Sequence, residues 1–311
     1  MLNCMVSVGV VGPLTKDRII FRNKEWEQIG GTVYYTGVTL ASLGINTLIY
    51  TTLSKNDEKL LEELSRENIK IFPRWCEKTT YFENIYPKKT LDYREQIVTQ
   101  ISQPFPILTP KDIESCDIVH LGPLNKFDIP LEFVKHIKDL GVITSLDAQG
   151  YVRSIEEGRV VLSDWKDKHA VLSYIDIIKV DETEATILTG KTDPEDAAKE
   201  LSVYGPKLAV ITYGEKGSLV YSKNEDKFFH IPAYKPEKIR DVTGAGDVYM
   251  GGFLYFYLSS PEKNFEFIGK SAAMCATVKI ESGSPLNFSR NKIEKRLRIV
   301  DVNESKNNSK L

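Results

Sequence analysis

The chain has 311 residues, 41% of them hydrophobic and 27% charged, with a net charge of −2 at pH 7 and a pI near 6.2. Such a composition gives a globular protein with a substantial core, in one large domain or two small ones. It excludes purely electrostatic binding to nucleic acid or to an acidic membrane, and no apolar run approaches the ~20 residues that span a bilayer.

In chain order, Val6–Val11 predicts a buried strand, reached from Met1-Leu2-Asn3-Cys4 without the basic stretch of a secretory signal. Val33–Leu43 predicts a helix, Asn46–Thr52 a strand, and Asp57–Glu67 a helix with Glu and Lys at helical spacing. Ile118–Leu121 (strand), Ile129–Leu140 (helix), Ile143–Leu146 (strand) and Ile175–Val180 (strand) follow. Glu182–Leu188 and Pro194–Tyr204 predict helices, Leu208–Tyr213 a strand, and the apolar run Val248–Leu258 a helix opening on the glycine turn before it.

This alternation predicts βαβ units and an α/β fold, a doubly wound, mostly parallel sheet flanked by helices. Two polar, aromatic-rich segments, about 18–35 and 71–102, break the pattern with β-type runs such as Thr79–Tyr86. They are surface hairpins or a small β lid over a ligand, and the lid is the reading adopted. The chain, 1–311, reads as one domain with a disordered polar tail at 303–311. Its four scattered cysteines, Cys4, Cys76, Cys116 and Cys275, form no C-x-x-C pair, which points to a reducing cytoplasm rather than disulfides or zinc. The sequons at Asn287, Asn303 and Asn307 read as chance matches.

Asp241-Val242-Thr243-Gly244-Ala245-Gly246-Asp247 is the most informative stretch. Its glycines allow a tight turn with N–H groups close to a ligand, and a helix N-terminus there attracts anions. A carboxylate beside a phosphate is repelled, so Asp247 makes sense as the base for an attacking alcohol. Four further constellations fall after predicted strands, where doubly wound sheets bind ligands. Asp17 either accepts hydrogen bonds from vicinal hydroxyls or forms a turn. Gly30-Gly31 either admits a small ligand or simply turns. Asp181 and Glu184, three residues apart, hold hydrated Mg²⁺, cap a helix, or do both. Thr212-Tyr213-Gly214-Glu215-Lys216-Gly217 is a hairpin or a nucleotide-phosphate loop, and no Walker A motif is present.

The stretch ending at Asp247, with Gly251-Gly252 after it, closely resembles the signature of ribokinase-like (PfkB) carbohydrate kinases, and the resemblance runs in order along nearly the whole chain. It implies Asp17 as a substrate-binding aspartate and Gly30-Gly31 through Gly44 as the amino-terminal signature. It also implies Glu184 as the glutamate of an N-x-x-E motif and Thr212, Gly214 and Gly217 as the T-x-G-x-x-G nucleotide loop. Thr243 and the segment Ala272–Gly283, with Ala273 and Gly283, lie on the nucleotide side. The pattern departs at Tyr34-Tyr35, where the family carries an Asn that touches the sugar, and at Asp181, which replaces the Asn of N-x-x-E. Asp147–Arg153 and Thr79–Phe82 look most like the myo-inositol kinase branch, with Tyr35, Gln149 and Arg153 on the substrate side.

The resemblance implies ATP and Mg²⁺ as cofactors, and leaves Asp241 to order the loop or to hold a monovalent cation. The expected reaction passes the γ-phosphoryl group to a sugar or cyclitol hydroxyl, with Asp247 as base and the N–H groups of Gly244, Ala245 and Gly246 as anion hole. A nucleoside kinase of the same fold, with Tyr34, Tyr35, Tyr81 and Phe82 stacking on a base, and a non-catalytic ligand-binding member are the rivals. A homodimer through exposed lid strands is open.

Overall fold

The structure, a computed structural model, describes residues 6–21, 24–86, 95–284 and 289–308. Cys4, Asn287 and parts of both expected lid segments lie outside the described residues.

The first half contains β1 (Ser7–Val11), β2 (Thr15–Phe21), β3 (Lys24–Gly30), α1 (Thr32–Leu43), β4 (Asn46–Ser54), β5 (Ile69–Cys76), β6 (Thr80–Tyr86) and β7 (Glu95–Gln100). Next come β8 (Ile118–Leu121), α2 (Leu131–Asp139), β9 (Ile143–Asp147), β10 (Arg153–Glu156), β11 (Arg159–Leu162), α3 (Lys168–Leu172) and β12 (Ile177–Asp181). The last part holds α4 (Glu182–Thr189), α5 (Pro194–Val203), β13 (Leu208–Thr212), β14 (Ser218–Ser222), β15 (Lys227–Ile231), α6 (Ala245–Ser259), α7 (Phe265–Ser282) and α8 (Arg290–Asn308).

The larger sheet has nine strands in the order β15-β14-β13-β12-β9-β8-β1-β4-β5. Its pairs from β5 to β13 are parallel, and β14 and β15 add on antiparallel. Strand order reverses at β1, flanked by β4 and β8, the topological switch point at which such sheets bind ligands. Alternating side chains face opposite sides of the sheet. Val8 and Val10 of β1 pack with Phe253 of α6 and Met274 of α7. Val11 packs on the other face with Phe133 of α2 and Ala198 of α5. Helices therefore cover both faces, and the expected α/β class holds.

Several expected elements differ. Asp57–Glu67 is not an α-helix; Lys55–Leu64 is a 3₁₀ run, kinked at Asp57, that buries only Leu64. Leu60 and Leu61 pack partly buried beside it, so the segment meets the core through a short apolar face in the tighter 3₁₀ form. Ile69–Cys76, partly within the expected lid, is β5 of the larger sheet, paired along its length with β4. The expected lid corresponds to a second sheet, β10-β11-β7-β6-β2-β3, whose first hairpin, β2–β3, starts at Thr15 and ends before α1, so Tyr34 and Tyr35 are helical. Its β10–β11 hairpin was absent from the sequence reading. The signal for it was Glu157-Gly158 just before the β-branched Val160-Val161, and both turn residues have positive φ in the structure (50° and 81°). At the C-terminus α8 continues through Asn308 where a disordered tail was expected from 303.

Hydroxyls join the two sheets. Thr52 of β4 and Thr80 of β6 meet at Ser102, with oxygens 2.9 and 3.1 Å from its Oγ. The Ser54 N–H donates to Thr79 (2.8 Å), whose hydroxyl donates to Asp57 (2.6 Å).

Candidate active site

Strand register assembles the centre of the site. Asp147 at the end of β9 is the lateral partner of Lys179 on β12, and Asp181 that of Thr212 on β13. Neighbouring strands lie only about 4.8 Å apart, so this register brings charged ends together at the carboxyl rim of the sheet. Lys179 Nζ stands 2.9 Å from Asp147 Oδ2, with side-chain exposures of 8% and 0%. Burial works to lower the Lys179 pKa, but Asp147, Glu184 and Asp247 together raise it above its ordinary value, so the ammonium stays charged.

Gly244 caps α6 with φ 72°, and a Cβ there would fall 2.4 Å from the Tyr35 ring. Only glycine fits both demands. A Cβ at Gly246 would lie 3.2 Å from Lys179 Nζ, so the ammonium sits directly against the turn. The N–H of Ala245 donates to Val242 O at 3.2 Å. That bond closes the turn. Asp247 lies in the first turn of α6, and its carbonyl accepts from Thr36 of α1 at 3.0 Å. Its Oδ1 is buried with no hydrogen-bond partner among the described residues. Burial, reinforced by Asp147 and opposed by Lys179, pushes its carboxyl up to about 6. Gly251 lets α6 approach Thr36 and Thr39 of α1, and Gly252 lets it approach Cys275 of α7.

Asp181 and Glu184 form a reciprocal capping box: the Glu184 N–H donates to Asp181 Oδ1 (2.7 Å) and the Asp181 N–H to Glu184 Oε2 (2.8 Å). Burial pushes the Glu184 carboxyl up to about 7, with Lys179 pulling down and Asp181 and Asp147 pushing up. Among the described residues no group of three or more His, Cys, Asp or Glu is arranged to hold a metal ion. The pair fits Mg²⁺ only in the way that ion commonly binds, through one or two carboxylates, retained waters and substrate phosphates.

On the other side of the turn, Asp17 of β2 is buried, and Thr15 Oγ1 donates to its Oδ1 at 2.7 Å. A Cβ at Gly30 would fall 2.5 Å from Asp17 Oδ2, so that glycine shapes the carboxylate's surroundings. Gly31 precedes α1 with φ 96° and packs on Pro13. Tyr35, 4% exposed, receives a hydrogen bond from Gln28 at 3.4 Å. Burial drives its phenol well above the usual range, with Asp241, Asp17 and Asp247 adding to the effect. Gln149 follows Asp147, which caps its N–H at 3.1 Å, and Arg153 Nη2 donates to Gln149 Oε1 at 2.8 Å. The Arg153 charge acts weakly on both Asp247 and Asp128, favouring their ionised forms.

Toward β13, Thr212 Oγ1 donates to Val180 O (3.4 Å), and the Tyr213 N–H to Gly217 O (2.8 Å) across the turn that carries Gly214. Ala273 lies on α7 six residues before Lys279, about 9 Å along the helix, and Gly283 closes that helix with φ 76°. Nothing brings Ala273 into the charged centre itself. Thr243 donates its N–H to Asp241 Oδ1 (2.9 Å).

The sequence reading assigned no role to Asp147, Lys179, Lys279 or Asp128. Asp128 is buried after β8, accepts from the N–H groups of Leu124 (2.7 Å) and Asn125 (2.9 Å), and is pushed up to about 6 by burial. For Asp147 and Lys179 the signal was available: a charge ending or interrupting a buried apolar strand is costly unless paired.

The model of the pfkB family of carbohydrate kinases matches residues 30–292. The chain belongs to that family. A cytidine kinase of Thermococcus kodakarensis is 30% identical to this pfkB member over 81% of the chain and 89% of its own length. A sulfate complex of a pyrophosphate-dependent kinase in the ribokinase family superposes with a TM-score of 0.80 at 26% identity, covering 93% of this chain and 99% of the other. A pyrophosphate-dependent kinase of that family in complex with a pyrophosphate analogue and myo-inositol gives 0.77 at 26% identity, covering 88% and 94%. The expected family, fold and kinase class hold, and myo-inositol kinases are among the structural neighbours. No described helix is long and apolar enough to cross a membrane.

Proposed function

We propose that this pfkB kinase transfers the γ-phosphoryl group of ATP to a hydroxyl of a small sugar or cyclitol of the myo-inositol kind. The observation that carries the reading is the buried Asp247 carboxyl with its unpartnered Oδ1, between the Lys179 side of the turn and the Asp17–Arg153 side. Asp247 takes the proton of the acceptor hydroxyl, whose oxygen forms the bond to the γ-phosphorus while the bond to the β-phosphate oxygen breaks and ADP leaves. A base with a raised pKa matches this work near neutral pH. Lys179 and the N–H groups of Gly244 and Gly246 face the charge that spreads over the phosphoryl oxygens. Asp181 and Glu184 would hold Mg²⁺, which when bound would supply further charge neutralisation. Thr212, Gly214 and Gly217, with Thr243 and the α7 segment of Ala273 and Gly283, form the nucleotide side in this reading. The second sheet closes over the acceptor as a lid and excludes water.

Acceptor chemistry follows from the wall. Asp17, Gln149 and Arg153 offer charged and amide groups suited to a ring of hydroxyls. Of the aromatics that would stack on a base, Phe82 packs with Val98 and Leu124, and the Tyr81 hydroxyl donates to Glu27 at 2.9 Å. A nucleoside acceptor is the second reading, favoured by the cytidine kinase relative. A homodimer through β3, an edge strand with exposed residues Lys24 to Glu27, and a cytoplasmic site of action complete the proposal. A panel of inositols, pentoses, hexoses and nucleosides, each with ATP and with pyrophosphate, tests donor and acceptor together. Turnover confined to a nucleoside, or to pyrophosphate, overturns the corresponding half.

A further inference from the structure

The sequence leaves Asp241 two roles, ordering the turn or holding a monovalent cation, and the residues around it do not fit a metal ion. Lys279, in the last turn of α7, is fully buried, and its Nζ donates to Asp241 Oδ2 (2.7 Å) and to Asp241 O (3.0 Å). Its remaining direction faces the Tyr35 ring, 5.5 Å from the centroid, a cation–π distance. The other carboxylate oxygen, Oδ1, accepts the Thr243 N–H. Both carboxylate oxygens and the carbonyl of Asp241 are thus engaged. An ammonium already stands where a metal ion would bind, and a second cation beside it would be repelled in a buried setting.

We propose that the Lys279 ammonium is the built-in cation of the glycine turn, replacing a monovalent metal ion. Lysine suits the place because its head is a compact point charge with three donors and no acceptor. The end of a helix, where carbonyls accumulate negative potential, favours it further. The neighbouring residue works with it: Ile280 O accepts the Arg240 N–H at 2.9 Å, so adjacent positions of α7 hold the start of the turn. Lys279 is a positioning residue that acts through Asp241 and Tyr35 on the turn carrying Asp247. The turn of this chain is therefore complete in the absence of potassium or sodium.

The test compares the full-length protein in choline, sodium and potassium chloride at equal ionic strength, by thermal melting and by ADP release with ATP and the acceptor panel. Wild type is expected to melt at one temperature and turn over at one rate in all three salts. Lys279→Ser, which removes the ammonium and opens space beside Asp241, is expected to melt lower and lose most turnover in choline, with both recovered selectively by potassium. Lys279→Met, which fills the space without charge, is expected to lose both with no potassium response. Selective stabilisation or several-fold activation of wild type by potassium overturns the proposal, as does a folded Lys279→Ser protein indifferent to the salt. Should Lys279→Ser fail to fold in every salt, the wild-type comparison decides alone. Melting needs no substrate, so a failure here is distinguishable from a wrong donor or acceptor.

Discussion

The two sides of the glycine turn are built differently. On one side, Asp147, Asp181 and Thr212 end adjacent parallel strands and Lys179 lies inside one of them, all fixed by the register that forms the sheet. On the other side, Asp17 and Arg153 come from two strands of the second sheet, β2 and β10, and Gln149 from the short turn after β9. One side cannot change without disturbing the core of the fold; the other can change piece by piece. In the proposed reading phosphoryl-transfer chemistry belongs to the first and acceptor choice to the second, a division that would let one fold serve many substrates.

Replacing Asp247 challenges the donor-side machinery most directly. Asp247→Asn is expected to lower turnover by about 10²–10⁴-fold, the contribution of a general base, while donor binding measured by calorimetry persists. Near-normal turnover would show that the proton leaves by another route. Wild-type activity is expected to rise with pH through about 6 as the Asp247 carboxyl ionises. Stability runs the opposite way. A carboxyl raised from 3.8 to about 6 by folding makes the native state less stable as pH climbs through that interval. Above it, the Asn variant should therefore melt at the same temperature or higher.

Lys179→Met probes how far the charges behind the turn depend on one another. Removing one member of a buried pair costs about 3–5 kcal/mol, read as a melting temperature several degrees lower. Adding Asp147→Asn to the same protein should recover much of that loss, and a double variant no better than the single would mean that the pair is not coupled. The acceptor side should respond more mildly. Asp17→Asn is expected to lower kcat/KM for the acceptor by about 10–150-fold, the range for a hydrogen bond to a charged group, at an unchanged KM for the donor. An equal rise in the donor KM would erase the proposed division of the site.

The fold was legible because buried parallel strands read as short β-branched runs, and Val6–Val11 or Ile175–Val180 needed no tertiary information. The turn was legible too, since Gly244 and Asp247 are local and their roles follow from backbone and charge. The Lys179–Asp147 pair was hidden because its meaning depends on which strands lie side by side, and β9 and β12 are separated in sequence by a hairpin and a helix. Asp128 was hidden for a related reason: a carboxylate in a connecting segment looks like a turn former until burial is known. The Asp57–Glu67 misreading came from charge spacing, which does not distinguish an α-helix from the kinked 3₁₀ run that packs Leu60, Leu61 and Leu64 on the core. The lid limits were blurred because the β10–β11 hairpin joins that sheet from beyond β9.

Gly252 has a consequence for handling the protein. It admits the Cys275 Sγ to within 2.9 Å of where a Cβ would stand, and that thiol is fully enclosed and pushed well above its ordinary pKa by burial. An alkylating reagent needs a thiolate and a path, and Cys275 offers neither while α6 and α7 remain packed. Its labelling therefore acts as a clock for the rare parting of those two helices, and the same event releases the turn that α6 carries at its head.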